Sequence, residues 1–171
     1  DIIDNYSIEN LCKIFFEYGE EKQSREISKK IVENRLNINT TLELVEIIKS
    51  AVGSNYFYKT HPERKIFQAL RIEVNDELKV LEIVLPDAIE MLIPGGRICV
   101  ITFHSLEDRI VKNIFKKYSE VPEPFKGEPN IPDEYKPIIK IINKKPILPS
   151  EKELSENSRS HSAKLRIIER I

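Results

Sequence analysis

The sequence predicts an α/β fold preceded by an all-helical domain. Two segments have the pattern of strands: Arg97 to Phe103 is a short apolar run rich in β-branched residues, and Ala163 to Ile168 alternates apolar with charged residues. Residues 1–58 instead carry apolar side chains at helical spacing. We therefore expect helices in the first part of the chain and a sheet in the last part.

Composition excludes several classes of protein. The 27 Lys and Arg nearly balance the 28 Asp and Glu, so any surface for nucleic acid must be a local one. Cys12 and Cys99 lie in apolar surroundings without a C-x-x-C motif, which predicts reduced core thiols. Because the 3 histidines are also dispersed along the chain, we predict no metal site. Without a membrane-length apolar run or a signal-peptide pattern, the sequence predicts a cytoplasmic protein that has no membrane partner.

Helix-start signals divide the first part of the chain into three short helices. Ser7 is suited to cap the first helix, which Gly19 ends, and residues 20–36 form the second. Thr40 and Glu43 have the spacing of a capping box for the third. Short amphipathic helices with short connections indicate a small helical domain.

A long helix is predicted next. Thr60 is its expected cap, Pro62 lies in its first turn and Glu63 completes the box. Apolar residues then recur at helical spacing as far as Leu85, and Pro86 is expected to kink or restart the helix.

The central stretch predicts a turn, a strand, a polar loop and a new helix. Gly95 and Gly96 supply the turn, and residues 97–103 are expected to form a strand buried on both faces. His104 follows at the carboxyl end of that strand, where open α/β sheets bind ligands. Ser105 and Asp108 have capping-box spacing for the next helix.

Weaker signals complete the chain. Residues 121–137 are rich in proline and predict a surface loop, and residues 138–142 predict a short strand. Ser150 and Glu153 have the spacing of a capping box on a short helix, which leads into the last strand.

Four segments carry a family resemblance in the expected order. They are Tyr18-Gly19-Glu20-Glu21, Phe67 to Leu78, the Pro94-Gly95-Gly96 turn with Phe103-His104-Ser105-Leu106-Glu107-Asp108-Arg109, and Asn157 to Arg166. With them the chain resembles the bacterial small-subunit ribosomal RNA (cytosine-N4) methyltransferases of the MraW/RsmH type. The last segment departs from the family pattern at Ser158, where Pro is usual, and at His161, where Arg is usual.

The resemblance implies a fold and an activity. Residues 1–74 would form an inserted helical domain that recognises substrate RNA, and residues 75–171 the C-terminal part of a Rossmann-like methyltransferase domain. The implied reaction transfers a methyl group from S-adenosylmethionine to the N4 amine of a cytosine, and the implied partner is small-subunit ribosomal RNA. No oligomeric state follows from the sequence.

Two motifs of the family have no counterpart in this chain. Its glycine-rich loop, which cradles S-adenosylmethionine, is absent, because the five glycines at 19, 53, 95, 96 and 127 form no G-x-G cluster. Its Asp-Leu-Gly-Val-Ser-Ser type of loop is absent too. We therefore expect this chain to correspond to the C-terminal part only, to contain no cofactor-binding residues and to be inactive by itself.

No catalytic residue is assigned, although His104 and Ser105 are candidates. A neutral His104 imidazole at a strand end is suited to accept the proton of an amine, and the alternative is that it orients the loop by hydrogen bonding. Ser105 and Asp108 fit helix capping better than reaction.

Two groups of residues are candidates for RNA binding. Arg71 and Asn75 lie on the polar side of a helix and either contact substrate or belong to a solvated face. Arg159, Lys164 and Arg166 are expected to point outward and contact phosphates, with a solvated strand edge as the alternative.

Two further functions compete with methyl transfer. The chain could be a non-catalytic RNA-binding or assembly module that lacks the cofactor half. A helical DNA-binding domain fused to a small α/β unit is disfavoured by the near-neutral charge and the lack of a recognition helix.

Overall fold

The computed structural model describes residues 1–171, which form two compact units, residues 1–77 and residues 78–171. The first unit contains α1 (Ile2–Asn5), α2 (Ile8–Glu17), α3 (Ser24–Glu33), α4 (Thr41–Val52), α5 (Ser54–Thr60) and α6 (Pro62–Asn75). Helix α7 (Glu77–Glu90) begins at the boundary, and the second unit continues with β1 (Arg97–Thr102), α8 (Ser105–Ser119), β2 (Ile139–Ile141), α9 (Glu151–Glu156) and β3 (Lys164–Arg170). The mixed α/β class is thus confirmed.

Each helix falls short of the length and apolar character that crossing a bilayer requires.

Side-chain caps start two helices of the first unit where the sequence predicted them. The Ser7 hydroxyl accepts a hydrogen bond from the Asn10 amide at 3.2 Å. Thr40 and Glu43 form a complete capping box, in which each side chain accepts from the backbone amide of the other. Such caps satisfy amides that have no partner inside the helix.

The long helix predicted from Thr60 is instead divided at Asp76. Helix α5 continues through Thr60, whose hydroxyl donates to the Tyr56 carbonyl at 2.8 Å, so the prediction that Thr60 caps the next helix is wrong. Asp76 adopts a left-handed conformation with φ of 52° and ends α6. Pro86 lies within α7.

Apolar side chains from five helices form the core of the first unit. They are Leu11, Ile14, Phe15, Ile27, Ile31, Leu44, Ile48, Phe57, Ile66 and Ala69. Because they recur on one face of each helix, burial of these faces drives the helices together.

A buried carboxylate lies in the turn after α2. The Glu21 side chain is fully buried and accepts hydrogen bonds from the Gln23 amide at 2.9 Å, the Tyr56 hydroxyl at 2.5 Å and the Lys65 ammonium at 3.1 Å. Burial raises the pKa of Glu21, but these three donors outweigh it and hold the pKa below its usual value. Glu21 therefore ties this turn to α5 and α6.

Close backbone packing accompanies that contact. A Cβ atom on Gly19 would lie 2.6 Å from the Phe15 carbonyl oxygen and 2.9 Å from that of Lys65, so only glycine fits. The Gln68 side-chain amide donates to the Tyr18 carbonyl at 2.9 Å. The first two family segments therefore pack against each other.

The second unit contains a three-stranded antiparallel sheet in the order β1-β3-β2. Arg97 lies opposite Glu169 and Thr102 opposite Lys164, which defines the register of β1 with β3. The core combines residues of α7, α8, β2 and β3, namely Leu85, Ile89, Val111, Phe115, Ile139 and Ile168.

The prediction that β1 is buried on both faces is wrong. Ile98, Val100 and Thr102 are more buried than their neighbours, whereas Cys99 and Ile101 are exposed. The physical reason is that the core of this unit packs against only one face of β1, so the side chains on the other face are exposed. Cys99 is therefore no core thiol.

The rest of the second unit follows the predicted pattern closely. The 121–137 loop contains only two short 3-10 turns, and the Phe125 and Tyr135 rings stack there with centroids 4.4 Å apart. The Ser150 hydroxyl caps α9 by accepting from the Glu153 amide at 3.2 Å.

Replacing Glu21 tests the buried carboxylate. Glu21→Gln weakens three hydrogen bonds to a buried charge and removes the counter-charge of the Lys65 ammonium, whose side chain is 35% exposed and can be hydrated. We therefore expect a loss of about 2 kcal/mol in the free energy of unfolding. The measurement is urea denaturation followed by circular dichroism. Glu17→Gln, at an exposed position of α2, is the control and should change the free energy by less than about 0.5 kcal/mol. Equal effects of the two changes would contradict the assigned role.

Candidate functional site

His104 and Glu107 build the junction between β1 and α8. The Glu107 carboxylate accepts hydrogen bonds from the amides of Phe103 at 2.8 Å and His104 at 3.2 Å. In return, Nδ1 of His104 accepts from the Glu107 amide at 3.4 Å. This capping box holds the loop in one conformation, with the His104 side chain 7% exposed.

The same bonds determine how the His104 imidazole can act. Because Nδ1 accepts from the helix backbone, a neutral ring carries its proton on Nε2, which lies 3.4 Å from Oε1 of Glu107. The acceptor nitrogen is thus committed to α8. This geometry matches the alternative in which His104 orients the loop; its role as a proton acceptor stays a prediction.

The predicted capping box is displaced by one residue. Ser105 is already the first residue of α8, so the pair that caps the helix is His104 with Glu107 and not Ser105 with Asp108. The strand ends at Thr102, one residue earlier than predicted, and the helix correspondingly begins one residue earlier. Ser105 is exposed in the first turn.

Asp108 is consequently available for a contact with β3. Its two carboxylate oxygens accept from Nε and Nη2 of Arg166 at 2.7 Å and 3.0 Å. The Lys164 ammonium lies 3.7 Å from the same carboxylate. Hydrogen bonds from Arg166 above all hold the pKa of Asp108 below its usual value, against the opposing effect of burial.

The prediction that Arg166 points outward is therefore wrong. Arg166 is 8% exposed and lies on the same face of β3 as the buried Ile168. Lys164 shares that face but is half-buried. The position of Asp108 on α8 decides this orientation, because it supplies the charge that a buried guanidinium requires.

Glu169 bridges all three strands on the opposite face of the sheet. It pairs with Arg97 of β1 at 2.7 Å and with Lys140 of β2 at 2.5 Å. The Asn143 side chain adds a link, since its oxygen accepts from the Ile167 amide at 2.7 Å. Neither the bridge by Glu169 nor the link by Asn143 was predicted. The cross-strand charge pattern could have indicated the Glu169 bridge only once the register of the strands was known.

The two RNA candidates of the first unit converge on one carboxylate. Arg71 donates to both oxygens of Glu77, at 2.9 Å and 3.1 Å, and the Asn75 amide donates to the same group at 3.0 Å. These bonds span the break at Asp76. The Arg71 side chain is still 56% exposed, so part of it remains accessible.

Arg159 lies apart from Lys164 and Arg166 in a 3-10 turn, Ser158–Ser162. Its backbone amide donates to the Asn157 side chain at 3.1 Å, and the neighbouring Ser160 is buried. Arg159 itself is exposed. The predicted basic cluster is thus divided into an exposed Arg159, a half-buried Lys164 and a buried Arg166.

Comparison with known families identifies the chain. The model of the MraW methylase family matches residues 1–171. The chain belongs to this family. The membership of the MraW family that the motifs indicated is thereby confirmed. It makes the chain a methyltransferase-family protein and implies the use of S-adenosylmethionine.

The glycine turn before β1 does not fit a cradle for that cofactor. A cradle needs backbone amides that point to the ligand. Here the Gly95 amide donates to the Arg170 carbonyl and the Gly96 amide to the Ile93 carbonyl, each at 2.9 Å. Both amides are used to join the turn to β3 and to close it, so the turn is a structural element of this family member.

Substitution of His104 separates orientation from proton transfer. Asn is an effective N-cap, so His104→Asn should keep the free energy of unfolding, whereas His104→Ala should lose about 1 kcal/mol. If His104 only orients the loop, His104→Asn also retains methyl transfer in the polypeptide that the gene encodes. Radiolabelled methyl incorporation measures this, and its loss in a stably folded His104→Asn variant would support proton transfer instead.

Acidification tests the Asp108–Arg166 pair. The native pKa of Asp108 lies below its ordinary 3.8. The pair therefore stabilises the native state at pH values above 3.8, and this stabilisation is lost as the pH falls through the lowered pKa. We expect Asp108→Asn to cost about 3 kcal/mol near neutral pH, and this difference from the parent to shrink below about pH 4. Urea unfolding over a pH series measures it.

The matched control for this series is Asp87→Asn. Asp87 is exposed on α7, so its replacement should change the unfolding free energy by less than about 0.5 kcal/mol at every pH. A difference between parent and Asp108→Asn that is independent of pH would contradict the ion pair.

Proposed function

We propose that this chain forms the C-terminal part of an enzyme that methylates the N4 amine of a cytosine in small-subunit ribosomal RNA, with S-adenosylmethionine as donor. Family membership supports the methyltransferase class. The segment from Phe103 to Arg109 supports the more specific substrate, since it is the most distinctive of the motifs. Because ribosomal RNA is the proposed substrate, we propose action in the cytoplasm.

One observation carries this proposal: motifs that are remote in sequence meet in space. Asp108 of the Phe103–Arg109 segment binds Arg166 of the last segment across 58 positions. Likewise Gln68 of the second segment binds Tyr18 of the first across 50 positions. The motif residues therefore hold elements of each unit together.

The exposed side of β1 supports a larger sheet. Ile101 is 58% exposed and Phe103 is 53% exposed, an unusual degree of exposure for apolar residues at a strand end. An edge strand also offers backbone groups for pairing with another strand. We propose that β1 continues a Rossmann-like sheet contributed by the cofactor-binding part of the enzyme.

We propose RNA contacts at four of the predicted residues. Arg159 and the accessible part of Arg71 are suited to bind phosphates, with Asn75 and Lys164 as further donors. The buried Arg166 acts by positioning, because its guanidinium is committed to Asp108. The helical unit, residues 1–77, then has the proposed role of recognising substrate RNA.

Methylation of defined RNA tests the function. The polypeptide that the gene encodes is incubated with small-subunit ribosomal RNA and S-adenosylmethionine, and digested nucleosides are analysed by mass spectrometry. We expect N4-methylcytidine. A different methylated nucleoside would contradict the substrate, and RNA binding without any methylation would favour the non-catalytic RNA-binding module.

The cofactor is expected to require residues outside this chain. Because the turn amides of Gly95 and Gly96 are engaged, the 171-residue chain should show no binding of S-adenosylmethionine at micromolar concentration in calorimetric titration. The control is the whole encoded polypeptide, for which heat of binding is expected. Micromolar binding by the 171-residue chain would show that it contains a cofactor site.

A further inference from the structure

The second unit contains a groove between α8 and β2 that none of the family motifs explains. Its volume is about 630 Å³. Its principal lining residues are Lys112, Phe115, Lys116, Lys140, Ile141 and Lys144. We refer to it as the α8–β2 groove.

Positive charge dominates the rim of the groove. Four lysines and Arg166 line it, against a single acidic residue, Glu120. Arg166 is neutralised by Asp108, and Lys116 lies 3.8 Å from Glu120. The excess positive charge therefore comes from Lys112, Lys140 and Lys144.

Two of those lysines have no ion-pair partner. Lys140 binds Glu169 at 2.5 Å, whereas Lys112 and Lys144 are exposed and form no ion pair. They come from α8 and from the segment after β2, so only the fold places them on one groove. Two uncompensated ammonium groups in a concave surface attract an anion more strongly than the same charges on a convex one.

The floor of the groove is apolar. Phe115 and Ile139, each 1% exposed, lie beneath it, with Ile141 beside them. A volume of this size is in the range of sites that bind small organic groups. A cationic rim over an apolar floor suits a nucleotide chain, whose phosphates are charged and whose bases have apolar faces.

We infer that the α8–β2 groove binds a single-stranded segment of RNA, with phosphates at Lys112 and Lys144 and a base over the apolar floor. The inference rests on the proposed function in one respect, that RNA is the substrate. It adds an RNA contact whose lining includes neither Arg159 nor Lys164. It also gives a role to the unpaired charge of Lys112 on α8, which the packing of that helix does not use.

Neutralising the two free lysines tests the groove in the whole encoded polypeptide. The variant is Lys112→Gln/Lys144→Gln, and the probe is a fluorescent oligouridylate titrated over a salt series. Each phosphate contact contributes about 0.7 to the slope of log affinity against log salt for a single strand, so the slope should flatten by about 1.4. The conservative Lys112→Arg/Lys144→Arg variant should keep the parent slope.

The control removes two other exposed lysines of the same unit. Lys79 lies on α7 and Lys152 on α9, and neither lines the groove. Lys79→Gln/Lys152→Gln should leave the slope at the parent value. If this control flattens the slope as much as the groove variant does, binding follows overall charge and the inference is wrong.

Three further results would overturn the inference or distinguish it from the proposed function. Stronger binding of polyglutamate than of oligouridylate, lost in the groove variant, would assign the groove to acidic peptides. If N4-methylcytidine forms but the slopes of all variants agree, the inference about the groove is wrong and the proposed function stands. If no methylation occurs but the slope still depends on Lys112 and Lys144, the proposed function is wrong and RNA binding by the groove is supported.

Discussion

The ion pair between Asp108 and Arg166 is the contact on which the second unit depends. It joins the first turn of α8 to the middle of β3, and both side chains are largely shielded from water. A buried guanidinium without a carboxylate would be costly, so the two residues require each other. The capping box of His104 and Glu107 positions α8 so that Asp108 lies over β3.

The first unit is organised by the same physical principle. Glu21 is fully buried and is stabilised by donors from its own turn, from α5 and from α6. The close approach at Gly19 leaves no room for a side chain. In both units, therefore, the distinctive motif residues hold elements together, and chemistry or RNA binding must use surfaces that these contacts leave exposed.

Local signals in the sequence were sufficient for most elements. Ser7, Thr40 with Glu43, and Ser150 cap helices where their spacing predicted, because a cap depends only on residues within one turn. The strands β1 and β3 were recognised from short apolar or alternating patterns. Family membership also followed from the order of four short motifs, since that order is a property of the chain alone.

Long-range contacts decided what the sequence left open or misplaced. Whether Arg166 faces water or the core depends on Asp108, 58 positions away, and no local pattern contains that information. The exposed face of β1 depends on which side of the sheet carries the core. Lys112 and Lys144 share a groove only because α8 packs beside β2. The sequence by itself thus determined the elements and the family, and the tertiary structure decided which charges are buried in pairs and which are exposed.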